Sequence, residues 1–169
     1  MSNAIRRKVT LGVVIGSRAL FSPAPCRDAR DEVLAELAAL GIDAVILPYE
    51  ATANGAVQSI ADAELYARAF KAHPGGIDGL VICLPNFGDE IAIIELVNRA
   101  KLNVPILLQA SNDEVTKVSV SERRDAFCGK ISVTNNFWQY GVPFTETTLH
   151  TCDISGPAFR GDLDRFARL

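Results

Sequence analysis

A doubly wound α/β fold, with helices on both faces of a five-stranded parallel sheet, is the architecture this sequence predicts. Three observations lead there. Short aliphatic runs such as KVTLGVVIG are continuous rather than alternating, as in strands covered on both faces. Segments with helical spacing separate these runs, so each connection is a right-handed crossover. Strands wound in this way adopt most simply the flavodoxin-like order 2-1-3-4-5, and with no repeat, low-complexity tract or linker, residues 1–169 read as one domain.

The elements follow in order. Residues 8–16 are the first strand, and residues 26–40 form a helix with Ala29, Val33, Leu34, Leu37 and Leu40 on one face, stopped by Gly41. DAVILP, residues 43–48, is the second strand. Residues 62–72 form a helix with Leu65, Ala69 and Phe70 inward, closed by His73-Pro74-Gly75-Gly76. IDGLVICL, residues 77–84, is the third strand, and residues 89–100 form a helix carrying Ile91, Ile94, Leu96 and Val97, with Asp89 as its cap. VPILL, residues 104–108, is the fourth strand, and residues 109–125 are a polar loop. Residues 127–140 form a helix buried by its small and aromatic residues, with Trp138 in the core or an interface. Residues 144–151 complete the sheet, and residues 161–169 form a last short helix.

Composition excludes several classes of function. At 49% hydrophobic and 22% charged residues, with a formal charge of −3, the chain is globular and lacks the basic footprint of a nucleic-acid binder. Cys26, Cys83, Cys128 and Cys152 have neither C-x-x-C nor zinc-ligand spacing, and read as reduced thiols of a cytoplasmic protein. No segment has the roughly 20 apolar residues of a membrane span or the core of a signal peptide. Residues 1–4 read as a possible expression remnant.

In such a sheet, ligands bind beyond the carboxyl ends of the strands, near the point where winding reverses. The first of these loops, Gly16-Ser17-Arg18-Ala19-Leu20-Phe21-Ser22-Pro23, offers Ser17 and Arg18 as hydrogen-bonding groups and Phe21 as a packing surface for a sugar. The third strand leads into Asn86, whose amide both donates and accepts, as a hydroxyl does. Beyond the fourth strand, Gln109, Ser111 and Asn112 precede Asp113 and Glu114, adjacent acids that point apart and do not make an acid–base pair. His150 lies after the fifth strand without a second histidine nearby, while His73 lies at the opposite edge and reads as structural. Substrate-binding candidates are therefore Ser17, Arg18, Phe21, Asn86, Gln109 and Asn112; no catalytic or metal-ligating set is assigned. The first loop has neither G-x-G-x-x-G nor G-x-x-x-x-G-K-[ST], and it lacks the acids of a receiver domain and the hydroxyl-rich phosphate loop of a flavodoxin.

GSRALFSP, LPNFGDE, LLQASND and FCGKISVTNNFWQYGVPF, taken in succession, resemble the amino-terminal domain of the L-fucose and L-arabinose isomerase superfamily. That resemblance implies aldose–ketose interconversion assisted by a divalent metal, commonly manganese, held with the proton-moving carboxylates in later domains. It implies no cofactor in this chain and no activity of this chain alone. It further implies a homo-oligomer whose neighbouring subunits and carboxyl-terminal domains complete the site, with a small-molecule sugar as ligand and neither nucleic acid nor membrane as partner. Ser132 and Asn135 are further, weaker contacts on this reading. A free-standing sugar or polyol binding module is the alternative; a Cys or Ser hydrolase lacks a visible nucleophile elbow or Cys-His spacing.

Overall fold

β1 (Thr10–Ile15) and β3 (Gly79–Leu84) are buried along their whole length, as their continuous aliphatic runs require. They lie side by side in a computed structural model that describes residues 8–119 and 121–168. The other elements are α1 (Ala24–Ala39), β2 (Asp43–Val45), α2 (Ile60–Ala72), α3 (Glu90–Ala100), β4 (Ile106–Ala110), α4 (Ala126–Gln139), β5 (Thr145–Glu146) and α5 (Pro157–Phe166). The sheet is parallel throughout, with the order β2-β1-β3-β4-β5 expected from the sequence.

Alternate strand residues feed two cores. Leu11, Val13, Ile15, Val81, Cys83 and Leu107 pack with α1 and α5, whereas Val14, Leu80, Ile82, Leu84 and Leu108 pack with α2, α3 and α4. Glu36 of α1 accepts from Arg160 of α5 through Nε at 2.6 Å and a terminal nitrogen at 2.8 Å, joining the two helices of one face. These hydrogen bonds hold the Glu36 carboxyl below the usual carboxylate range.

Several boundaries differ from the sequence reading. β4 continues through Gln109 and Ala110, paired with Cys83 and Leu84, because the Gln109 amide is satisfied in part by the Cys152 carbonyl and can be buried. β5 has two residues instead of eight: Leu107 and Leu108 pair with Thr145 and Glu146, and beyond them the buried Thr147 donates through Oγ1 to the Leu149 carbonyl at 2.8 Å. β2 stops at Val45, and α5 starts at Pro157, a residue suited to a first helical turn. Leu65 and Ile91 face outward, their inward places taken by Tyr66 and Ile93. On α4, Phe127 and Trp138 are exposed rather than buried. Asp89 does cap α3, accepting from the Ala92 N–H at 2.9 Å. Residues 1–4 and Leu169 lie outside the described residues. No described helix is long and apolar enough to cross a membrane.

Gly129 lets α4 lie directly on the β3–α3 loop, since a Cβ there would overlap the backbone of Phe87. Gly129→Ala is expected to cost about 1–3 kcal/mol in urea unfolding. Gly161→Ala, where the new Cβ meets only an Arg165 nitrogen at 3.6 Å, is expected to gain about 0.5–1 kcal/mol. Because Glu36 has a depressed folded pKa, its contribution is present above the ordinary carboxylate range and lost as pH falls through the depressed value. The stability difference between wild type and Glu36→Gln, followed by thermal melts, should therefore be largest near neutral pH and shrink below about pH 4.

Candidate functional site

The winding reverses between β1 and β3, and the crevice between their carboxyl ends is bridged by Asn86. Its Nδ2 donates to Ser17 Oγ at 2.9 Å and the Ser22 carbonyl at 3.3 Å. Its Oδ1 accepts from the backbone N–H groups of Arg18 and Gly88, each at 3.3 Å. Gly88 has φ +74°, which turns its N–H back toward the Asn86 side chain at little steric cost. Ser17 and Asn86 are each 1% exposed, and the amide is occupied within the protein.

On this frame sits an aromatic and ionic cluster. The rings of Phe21 and Phe87 stack with centroids 5.8 Å apart and planes 14° from parallel. The Arg18 guanidinium lies 4.4 Å from the Phe87 centroid, pairs with Glu90 and comes within 3.9 Å of an Asp89 carboxylate oxygen. Two carboxylates thus compensate one cation at the mouth of the crevice. Phe87 is half-buried and Phe21 almost wholly so, leaving Phe87, Arg18, Asp89 and Glu90 as the partly solvent-accessible groups of the cluster.

Gln109 and Asn112 form a second group, beyond β4. Gln109 is fully buried, and its Nε2 donates to the Cys152 carbonyl at 2.7 Å and lies 3.4 Å from Ser111 Oγ, while its Oε1 has no partner among the described residues. Asn112 is exposed and donates to an Asp153 carboxylate oxygen at 2.9 Å. Asp113 and Glu114 diverge: Asp113 accepts from the Asp125 N–H at 2.9 Å, while Glu114 pairs with Lys117 at 2.8 Å and Arg124 at 3.0 Å. The structure therefore gathers Ser17, Arg18, Phe21 and Asn86 in one cluster, and holds Gln109 and Asn112 separately against the Cys152–Asp153 segment.

Residues 12–169 match the family described as fucose/sulfoquinovose isomerase, N-terminal domain. The chain belongs to that family. The match agrees with the resemblance carried by the strand-end motifs and covers nearly all of the chain. No curated protein matches the chain.

Three residues of this isomerase amino-terminal domain went unread in the sequence. Phe87 adjoins Asn86 in the LPNFGDE loop and was legible as an aromatic beside a glycine; Glu90 is recognisable only once Arg18 is seen beside it. Lys130 is the third. Only 2% exposed, it donates to Thr147 Oγ1 at 3.2 Å and the His150 carbonyl at 3.1 Å, fastening the segment after β5 to α4. Burial lowers its pKa. The signal was a lone charge in an otherwise uncharged helix. The His150 ring rests beside Phe127, centroids 5.5 Å apart. Burial raises the thiol pKa values of Cys26, Cys83 and Cys152, and no disulfide joins the four cysteines.

No group of three or more His, Cys, Asp or Glu side chains among the described residues has the disposition of a metal centre. Asn86→Ala removes hydrogen bonds to both loops and strands buried partners. It is expected to cost about 1–3 kcal/mol in denaturant unfolding and to raise hydrogen exchange selectively at the Arg18 and Gly88 amides.

Proposed function

We propose that this chain is the substrate-enclosing, oligomer-forming amino-terminal domain of an aldose–ketose isomerase of the L-fucose/L-arabinose type. In that reading a divalent metal, manganese in the first instance, and the carboxylates that move the proton belong to domains beyond this chain. The observation that carries the proposal is the Arg18–Phe87–Glu90 cluster at the reversal of winding, in a chain that matches the fucose/sulfoquinovose isomerase amino-terminal family.

The chemistry of the cluster suits a polyol. A sugar presents a C–H face, which packs on an aromatic ring, and hydroxyls, which accept from a guanidinium and donate to a carboxylate. Because Glu90 and Asp89 compensate Arg18, the cluster favours an uncharged aldose over an anionic one. In this proposal Ser17 and Asn86 position the cluster, Phe21 supports Phe87, Gln109 shapes the neighbouring strand end, and Asn112 with Asp153 contributes at the rim.

Leu20, Val115 and Val118, in the loops after β1 and β4, are 71%, 92% and 77% exposed. Such side chains at a ligand-facing edge favour a domain covered by other protein over a free-standing binding module, whose rim would be polar. The test is kinetic, in the longer protein that includes these residues, loaded with manganese. Arg18→Ala and Phe87→Ala should each lower kcat/KM for L-fucose or L-arabinose by about 10–100-fold, with the 169-residue chain alone inert. Unchanged kcat/KM in both variants, or saturable turnover by the short chain, would overturn the proposal.

A further inference from the structure

Residues 46–59, between β2 and α2, fold over the carboxyl end of β1, where Val57 bridges Gly16 and its carbonyl accepts from the Ser17 N–H at 3.2 Å. Two arginines of α1 close this loop. The Arg27 guanidinium lies 3.9 Å from the Tyr49 ring centroid, and that ring occupies the space a Cβ on Gly55 would need. Arg30, three residues further along α1, donates from one terminal nitrogen to the Leu47 carbonyl at 2.6 Å. Neither arginine forms an ion pair among the described residues.

Behind this closure, three hydrogen-bonding groups come together with too few acceptors among them. The other terminal nitrogen of Arg30, Nη1, is buried and has no partner among the described residues, and the same holds for Thr52 Oγ1. Thr52 is 8% exposed and Tyr66 0%. The Tyr66 hydroxyl makes only a long contact, 3.5 Å, with the Gly55 carbonyl. Gly55 in turn donates to the Thr52 carbonyl at 3.2 Å, which keeps Thr52 beside the phenol. Burial raises the Tyr66 pKa, so the hydroxyl keeps its proton, and both the Arg30 guanidinium and the Thr52 hydroxyl lie against it. Two of the three buried side-chain atoms that lack a partner among the described residues therefore flank one phenol.

We propose that Arg30 Nη1, Thr52 Oγ1 and Tyr66 Oη enclose a monovalent halide, chloride in the first instance, which holds the β2–α2 loop beside Ser17. All three groups can donate, and one belongs to a side chain that is always cationic. A water molecule accepts from two donors and leaves the guanidinium charge uncompensated. A halide accepts from all three and neutralises that charge. Asp62, whose charge also bears on Tyr66, is taken up elsewhere: it accepts from the Gln58 N–H at 3.0 Å and the Ser59 hydroxyl at 2.8 Å. Because all three atoms are enclosed, the ion must shed its water, which favours a monovalent halide over a divalent oxyanion. The proposal does not rest on the sugar reading, since no group of the Arg18 cluster belongs to this site and its test contains no sugar.

Chloride itself is the probe. At constant ionic strength, with gluconate as the balancing anion, raising chloride from about 1 to about 200 mM should lift the thermal midpoint of the 169-residue chain saturably, by about 2–4 °C, and bromide should do the same. Thr52→Val and Tyr66→Phe, each similar in shape to the residue replaced, should abolish the increment. Arg68→Ala, at an exposed arginine of α2 outside the site, should leave it intact. The unsubstituted chain provides a second measurement: it should broaden the chloride NMR line, and bromide should narrow that line again by competition. A thermal midpoint and a line width both indifferent to chloride would overturn the proposal and assign the place to a water molecule. So would a chloride response that survives both site substitutions, or one that Arg68→Ala removes.

Discussion

The buried carboxamide of Asn86 spans the crevice at which the sheet reverses its winding, and its hydrogen bonds hold the loops on both sides. Parallel sheets leave a gap at this point because successive crossovers depart to opposite faces. Here the gap is filled by a group with two donors and two acceptor sites, matched by Ser17 Oγ, the Ser22 carbonyl and the N–H groups of Arg18 and Gly88. Leaving any of these buried partners unmatched costs more than the bond gains, which makes the bridge a constraint on both loops at once. The position of Arg18 over Phe87 follows from it.

α4 supports the same loop from the other side. Gly129 brings the helix against the Phe87 backbone, and Lys130, one residue on, ties the segment after β5 through Thr147 and His150. The inner face of this helix therefore determines the geometry of two strand-end loops. Its outer face exposes Phe127, Ile131 and Trp138.

Exposure divides the six sequence-derived binding residues by role. Ser17, Asn86 and Gln109 are buried and bonded within the protein, Phe21 lies beneath Phe87, and Arg18 and Asn112 remain accessible. A polar residue at a strand end is thus as well suited to joining neighbouring loops as to meeting a ligand. The groups left accessible around Arg18 include Phe87 and Glu90, neither of which stands out by composition. That of Glu90 depends on a contact with Arg18, 72 residues away in sequence.

Periodicity and β-branched runs sufficed for the sheet order, the parallel direction, the helices on both faces and the Asp89 cap, because each depends on spacing within a few residues and on burial of continuous apolar segments. The strand-end motifs carried the family. Where β4 and β5 stop was decided by tertiary pairing: Gln109 could enter the sheet only with the Cys152 carbonyl to receive its amide, and β5 ended where Lys130 and Thr147 held the chain in a turn. Likewise, sequence alone placed Phe127 and Trp138 on a helix, but the side they present depends on which face Gly129 allows to approach Phe87. Local order was written in local spacing; the arrangement of the site required groups distant in the chain to satisfy one another's hydrogen bonds and charges.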